Sequence, residues 1–347
     1  SVVALAEERA RFLSTRRCRH FFAAIAPRLL ATIGRTPDPD ATLATLRDVA
    51  DSLGGKGVLW ELFSFSPQTL DLTVKLCASS PFLARLLVTN PGMIDELLDS
   101  LLIERLPTPD TLEAALADLC EGAVQVQAIL HAFKVSQQLR VGVRDVLARQ
   151  DAETTTAALT AIAETLVRRV VAIEEERLAE KLGEPIAGDG PRVGERARPV
   201  VLALGKFGGR EMNYASDIDV VFLYDHDGES RQRHRGRAGT SNAHFFGELA
   251  GKTMRVFNEF SPQGRLYEMD SRLRPSGRSG PPAISLAEFA RYFAPEGPAQ
   301  IWERQALVKA RVVVGTADSR AEARRIIDAA SYGRCWSAAD VEAIRLM

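Results

Sequence analysis

The stretch LGKFGGREMNYASDIDVVFLYD, residues 204–225, constrains the fold more than any other part of the chain. A β-branched apolar run at 200–204 reads as a buried strand ending in a glycine turn. A short helix or turn over 209–215 follows, and DIDVVFLY at 217–224 reads as a second strand. Residues two apart on a strand share a face, so Asp217 and Asp219 project together while Ile218 and Val220 point into the core. Two carboxylates this close raise each other's pKa unless a cation lies between them. Magnesium removes that conflict and takes hard oxygen ligands. A carboxylate pair can hold two such ions about 3.5–4 Å apart, the arrangement used for in-line displacement at phosphorus. Gly208 and Gly209 lack Cβ atoms, so their backbone N–H groups can approach phosphate oxygens, helped by a following helix N-terminus.

A third carboxylate completes the set. In GRLYEMDSRLRP, 264–275, a third strand leading into a loop, Asp270, Arg272 and Arg274 alternate on one face. A carboxylate flanked by two guanidinium groups suits a metal-bound triphosphate. The competing reading is an ion-pair network among Asp217, Asp219, Arg272 and Arg274, which leaves the glycine pair without a purpose.

The rest of the sequence frames this motif. Residues 1–182 read as helical, with boundaries at the proline clusters RTPDPD (35–40), SFSPQ (64–68), SSPF (79–82), TNPG (89–92) and LPTPD (106–110). Asp110 and Thr111 cap an expected helix over about 111–148. The clearest helix is 153–182, with Leu159, Ile162, Leu166, Val170, Ile173 and Leu178 at helical spacing. Its Arg168, Arg169, Glu174, Glu175 and Glu176 read as a solvated face. Gly, Pro and charge dominate 183–199, which reads as a linker or exposed loop, and 225–242 as a polar, mobile loop. Helices are expected at 243–260, at 285–294 and beyond 315. The architecture is therefore α+β: a helical bundle over 1–182, a small mixed sheet with flanking helices over 183–315, and the start of a further helical segment over 316–347.

With 347 residues, 46% of them hydrophobic, the chain can bury a sizeable core. A formal net charge of −1 argues against a nucleic-acid or membrane-surface binder. No apolar run reaches the roughly 18 residues of a membrane span, and no signal-peptide pattern opens the chain. The scattered Cys18, Cys77, Cys120 and Cys335 indicate neither a zinc site nor a disulfide framework, which fits a reducing cytoplasm. The first residue is not Met, as in a fragment. His20, His131, His226, His234 and His244 show no ligand spacing. Trp60, Trp302 and Trp336 read as packing residues, Glu303 and Lys309 as either site neighbours or an ion pair, and RQRHRGR at 231–237 as a solvated loop.

The order glycine pair, DxD, third Asp is that of nucleotidyltransferases. The longer matches LGKFGGREMNYASDIDVVFLYD, EMDSRLRPSGRSG and WERQALVKARVVVG resemble the glutamine synthetase adenylyltransferase family, as does VKLCASSPFLARLLVTNPGMIDELLDS upstream. The resemblance covers nearly the whole chain. It implies a regulatory helical region joined to a catalytic domain that transfers AMP from ATP to a tyrosine hydroxyl of glutamine synthetase. Asp217, Asp219 and Asp270 are then the metal-binding and catalytic carboxylates, with Mg²⁺, in two ions, as cofactor. Gly208 and Gly209 form the phosphate turn, and Lys206, Ser216, Arg272 and Arg274 supply nucleotide contacts. Glutamine synthetase and the signalling protein PII are the implied partners. The same resemblance admits the adenylyl-removing, phosphorolytic activity as an alternative. A non-catalytic PII-binding module is a further alternative, as is a polymerase of the same superfamily, against which the charge balance counts.

Overall fold

The computed structural model describes residues 2–8, 15–94, 105–188, 190–231, 239–261, 264–333 and 338–345. Residues 232–237 of the basic stretch, with His234, Cys335 and Trp336, lie outside the described residues. The chain divides into two compact units, Ser1–Thr108 with His131–Leu159, and Pro109–Leu130 with Thr160–Met347.

The first unit is helical. After α1 (Val2–Leu5) come α2 (Thr15–Ile33), α3 (Pro39–Ser52), α4 (Lys56–Phe65), α5 (Pro67–Ser79) and α6 (Pro81–Thr89). The proline clusters do mark boundaries: Pro39, Pro67 and Pro81 each open a helix, where a missing N–H is no loss. Asp38 and Ser80 cap two of these helices by accepting from Ala41 N–H (2.9 Å) and Leu83 N–H (3.3 Å). Pro27 lies inside α2 instead. Trp60 is fully buried against the Phe22 and Phe63 rings, and its indole donates to the Leu5 carbonyl at 2.9 Å. It is the packing residue the sequence suggests, and it ties the N-terminal turn to α4.

The single helix expected over about 111–148 is two, α7 (Pro109–Cys120) and α8 (Val126–Val146). Gly122 lies between them at φ +65°, a conformation that ends a helix and favours glycine. The next helix, α9 (Ala152–Leu182), is continuous over 31 residues. Its expected solvated face is largely not solvated: Glu174 and Glu175 are buried, and Arg168 is ion-paired. Glu174 pairs with Arg177 at 2.6 Å, and Glu175 with Arg196 at 2.7 Å. Burial pushes the Glu175 carboxyl above its ordinary range, and Arg196 and Arg198 oppose that shift. Helical spacing shows charges on a face but not the distant Arg196 and Arg198 that meet Glu175.

The second unit contains both sheets. A five-stranded mixed sheet has the order β5 (Met269–Asp270), β3 (Ile218–Tyr224), β2 (Pro199–Ala203), β7 (Arg311–Val314), with β6 (Ala283–Ser285) also on β3. β2 runs antiparallel to β3 and β7, whereas β5 and β6 run parallel to β3. The unit is thus α+β, as expected. The loop expected at 183–199 contains β1 (Glu184–Ala187), and the loop expected at 225–242 contains β4 (Gly228–Arg231); the two pair antiparallel. Asn242 Nδ2 secures them by donating to the carbonyls of Ile186 and His226, both at 2.9 Å. Four-residue strands paired across more than 40 positions, one of them holding a proline and the other polar, leave little local signal. The third strand is shorter than its sequence suggests, and the chain turns immediately after Asp270.

One turn of helix, α10 (Gly205–Gly208), follows β2 and precedes the position expected for it. Then come α11 (Asn242–Asn258), α12 (Leu286–Tyr292), α13 (Ile301–Ala306), α14 (Ala317–Tyr332) and α15 (Ala338–Arg345). The core joins Val200, Leu202, Val221 and Leu223 of the sheet to Leu286, Phe289 and Ile327. Among the described residues no single helix is long and apolar enough to cross a membrane.

Phe289 is wholly buried, its ring 4.9 Å from that of Phe293. Phe289→Ala is expected to lower the unfolding free energy of this unit by about 3–5 kcal/mol, measured by urea denaturation; a loss below about 1 kcal/mol would contradict this core assignment.

Candidate functional site

β3 and β5 run parallel in the register Ile218↔Met269 and Asp219↔Asp270. Adjacent strands lie about 4.8 Å apart, so this register sets two carboxylates side by side on one sheet face. Asp217 precedes the first residue of β3 and is exposed, whereas Asp219 is half-buried. Ile218 and Val220 are fully buried. The Asp219 carboxyl is raised above its ordinary value by burial, then by the charges of Asp270 and Asp217; Arg272 and Lys206 pull the other way. Two carboxylates therefore act on Asp219 at this point, against two cations.

Two residues outside the expected site set hold this arrangement. β5 has β3 on one side only. On α11, Asn258 serves β5 as a partner: its Nδ2 donates to the Met269 carbonyl at 3.0 Å, and its Oδ1 accepts the Met269 N–H at 2.9 Å. Gly205, at φ +53°, is the second. A Cβ there would lie 2.6 Å from Asp219 Oδ2, so the Asp219 carboxylate rests directly on the backbone of the turn. The signal available for Gly205 was its place in LGKFGG; Asn258 carried none, because its role depends on the fold.

The glycine pair works differently from the sequence expectation. The Gly208 N–H donates to the Leu204 carbonyl at 2.7 Å and the Gly209 N–H to the Gly205 carbonyl at 3.0 Å. Both N–H groups are thus engaged within the turn. Gly208 is required for close approach: a Cβ would lie 2.3 Å from the Lys309 carbonyl oxygen and 2.7 Å from that of Ala203. The turn is wedged between the end of β2 and the segment before β7.

Arg272 and Arg274 do not alternate along a strand, since β5 ends at Asp270. The Arg272 N–H donates to Asp270 Oδ1 at 2.7 Å, and its guanidinium to Asp270 Oδ2 at 2.5 Å. Arg274 turns into its own loop, donating to the carbonyls of Ser271 (3.0 Å) and Gly280 (3.3 Å). Ser216 is buried and closes a turn with Asn213: its hydroxyl donates to Asn213 Oδ1 and accepts the Asn213 N–H, each at 2.9 Å. Lys206 is exposed on the glycine turn. Glu303 is buried and accepts from Tyr292 Oη (2.8 Å) and Gln300 N–H (2.7 Å), while Lys309 pairs with Glu211 at 2.7 Å. Trp302 is exposed, not the packing residue expected of it.

The donor set fits a hard divalent cation by its chemistry: carboxylate oxygens that repel one another, one of them held above its ordinary pKa. Among the described residues, no three such side chains stand close enough as placed to form a finished metal cluster, and Asp270 faces Arg272.

Two glycine substitutions separate close approach from mere flexibility. Gly208→Ala is expected to destabilise the unit by about 1–3 kcal/mol, because both facing groups are backbone carbonyls. Gly247→Ala on α11, where a Cβ meets nothing within 4 Å, is expected to be neutral or to stabilise by up to about 1 kcal/mol. Thermal unfolding of both variants checks the contrast, and equal effects would contradict it.

Residues 70–326 match the sequence profile of glutamate-ammonia ligase adenylyltransferase. The chain is similar to the bifunctional glutamine synthetase adenylyltransferase/adenylyl-removing enzyme of Thioalkalivibrio sulfidiphilus, at 36% identity over 312 residues, covering 87% of this chain and 31% of that protein. The enzymes of the same name from Pseudomonas aeruginosa and Xanthobacter autotrophicus are 32% and 33% identical, over 84% and 91% of this chain and 30% and 31% of theirs. The chain thus spans about a third of the length of these relatives. Matched over most of its residues, the chain belongs to the glutamate-ammonia ligase adenylyltransferase family.

Proposed function

We propose that this chain carries a nucleotidyl-transfer site that moves AMP from ATP onto a tyrosine hydroxyl of glutamine synthetase and releases pyrophosphate. The observation that carries this reading is the parallel register that sets Asp219 beside Asp270, with Asp217 adjoining. Family membership and the names of the relatives support the choice of reaction. Residues 183–315 are taken as the catalytic domain, 1–182 as a helical regulatory region that meets glutamine synthetase and PII, and 316–347 as the start of a further helical region. The described cysteines, Cys18, Cys77 and Cys120, are free thiols, which supports a cytoplasmic setting.

Asp217, Asp219 and Asp270 would hold Mg²⁺, two ions in this reading, which supplies neutralisation of phosphate charge when bound. The protein's own groups do the rest. Asp270 takes the phenolic proton of the acceptor tyrosine, whose oxygen attacks the α-phosphorus as the bond to the β-phosphate oxygen breaks. Arg272, released from Asp270, pairs with phosphate oxygens. Lys206 adds positive charge from the glycine turn, and Gly205, Gly208 and Gly209 keep that turn close to Asp219. Ser216 and Arg274 shape the flanking loops.

Transfer of label from α-labelled ATP to unmodified glutamine synthetase, with Mg²⁺, tests this directly. Wild-type chain is expected to label the acceptor, and Asp219→Asn to reduce labelling by at least about a thousandfold, as expected for loss of a central charged group. Release of AMP from adenylylated glutamine synthetase on addition of phosphate, without labelling, would assign the adenylyl-removing reaction instead. Neither activity would refute a catalytic role and favour a regulatory PII-binding module.

A further inference from the structure

The glycine turn that supports Asp219 is a single helical turn, which is not stable in isolation, and it buries one side chain, that of Phe207. Its backbone carbonyls show what holds it. Those of Leu204, Gly205 and Lys206 accept from the N–H groups of Gly208, Gly209 and Glu211, at 2.7, 3.0 and 2.8 Å. The next two, Phe207 and Gly208, lie at the C-terminal end of the turn, where a helix leaves its carbonyls unpaired. Both accept from one side chain: Arg311 on β7 donates Nη2 to the Phe207 carbonyl and Nε to the Gly208 carbonyl, each at 3.2 Å. A planar guanidinium meets two adjacent carbonyls with separate nitrogens at fixed spacing, whereas an ammonium group offers a single nitrogen on a flexible stem.

Arg311 is itself held. Its Nη2 lies 2.5 Å from Glu164 Oε1 on α9, and the other oxygen of Glu164 takes Arg168 Nη2 at 3.1 Å. Arg168 in turn donates Nε to the Val313 carbonyl of β7 at 2.8 Å. Glu164 is buried, and Arg311 and Arg168 are mostly so. A buried carboxylate between two guanidinium groups fixes where each can point, because removing either partner strands a charge.

We propose that Arg311, oriented by Glu164, is a positioning residue of the nucleotidyl-transfer site: it fixes the glycine turn, and the turn fixes the Asp219 carboxylate lying against Gly205. This rests on the nucleotidyl-transfer reading of Asp217, Asp219 and Asp270. Arg311 touches neither substrate nor reacting atoms; it acts through the backbone of residues 205–208.

The test uses the full chain with Arg311→Lys, Arg311→Ala and Glu164→Gln, and two readouts. In AMP transfer, Arg311→Lys is expected to lose roughly ten- to a hundredfold in kcat with KM for ATP nearly unchanged, the pattern of a shifted catalytic group. Glu164→Gln is expected to lose less in the same direction, and added guanidinium to restore part of the Arg311→Ala loss. In amide hydrogen exchange, which needs no activity, the Gly208, Gly209 and Glu211 N–H groups are expected to exchange at least about tenfold faster in Arg311→Lys and Glu164→Gln, with the β2–β3 amides unchanged. Wild-type kcat in Arg311→Lys, or no rescue of folded Arg311→Ala by guanidinium, would overturn the proposal. So would unchanged exchange at the turn in Glu164→Gln, which remains decisive if Arg311→Ala fails to fold. Absence of both AMP transfer and AMP release in the wild-type chain would refute the nucleotidyl-transfer reading, and the exchange data would still decide whether Arg311 holds the turn.

Discussion

Repulsion between carboxylates is the constraint on which the rest of this site depends. Parallel pairing of β3 with β5 leaves Asp219 and Asp270 no choice but to be neighbours, and Asp217 adds a third charge one residue before the strand. Burial and its two neighbours together favour the neutral form of Asp219. A carboxyl raised in this way stabilises the folded chain only while it holds its proton, and that contribution is lost as pH rises through its folded value. At neutral pH the arrangement therefore opposes folding, and the fold must supply the restraint from elsewhere. Arg272, closed onto Asp270, supplies part of it.

The remainder is supplied by groups that act on backbone rather than on the carboxylates. Asn258 gives β5 the partner that a strand edge lacks, from the last residue of α11. Arg311 takes the two carbonyls at the end of the glycine turn, and Gly208 lets that turn approach two neighbouring carbonyls. Each of these contacts restrains a stretch of main chain that would otherwise relieve the repulsion by moving away. A charged cluster built on such restrained backbone is a preorganised site, and preorganisation is where electrostatic catalysis obtains most of its effect.

The parts of this fold written in local pattern were legible, and the parts written in pairing were not. Proline positions located the starts of α3, α5 and α6, and alternation around Ile218 and Val220 located β3, because both signals are carried by adjacent residues. The glycine pair marked the right turn for a different reason: Gly208 is needed for close packing, while its N–H is engaged internally. β1 and β4 fall in segments whose composition reads as loop, since strands of four residues owe their existence to each other. Glu175 belongs to a face that helical spacing presents as solvated, because nothing within α9 reveals Arg196. Arg274 was read with Arg272 as one face of a strand, but the chain turns after Asp270 and sends the two guanidinium groups to different partners. Asn258 and Arg311 belong to the same class: each acts on a residue that only the fold brings within reach.

The proposed function requires Asp217, Asp219 and Asp270 to form one cation site. Paramagnetic broadening by Mn²⁺ at substoichiometric concentration, read residue by residue in an amide correlation spectrum of the full chain, tests it most directly. Broadening is expected to centre on 217–219 and 269–271, to be lost in Asp219→Asn and to be reduced in Asp270→Asn while the rest of the spectrum is retained. Broadening centred elsewhere, or unchanged by both substitutions, would contradict it.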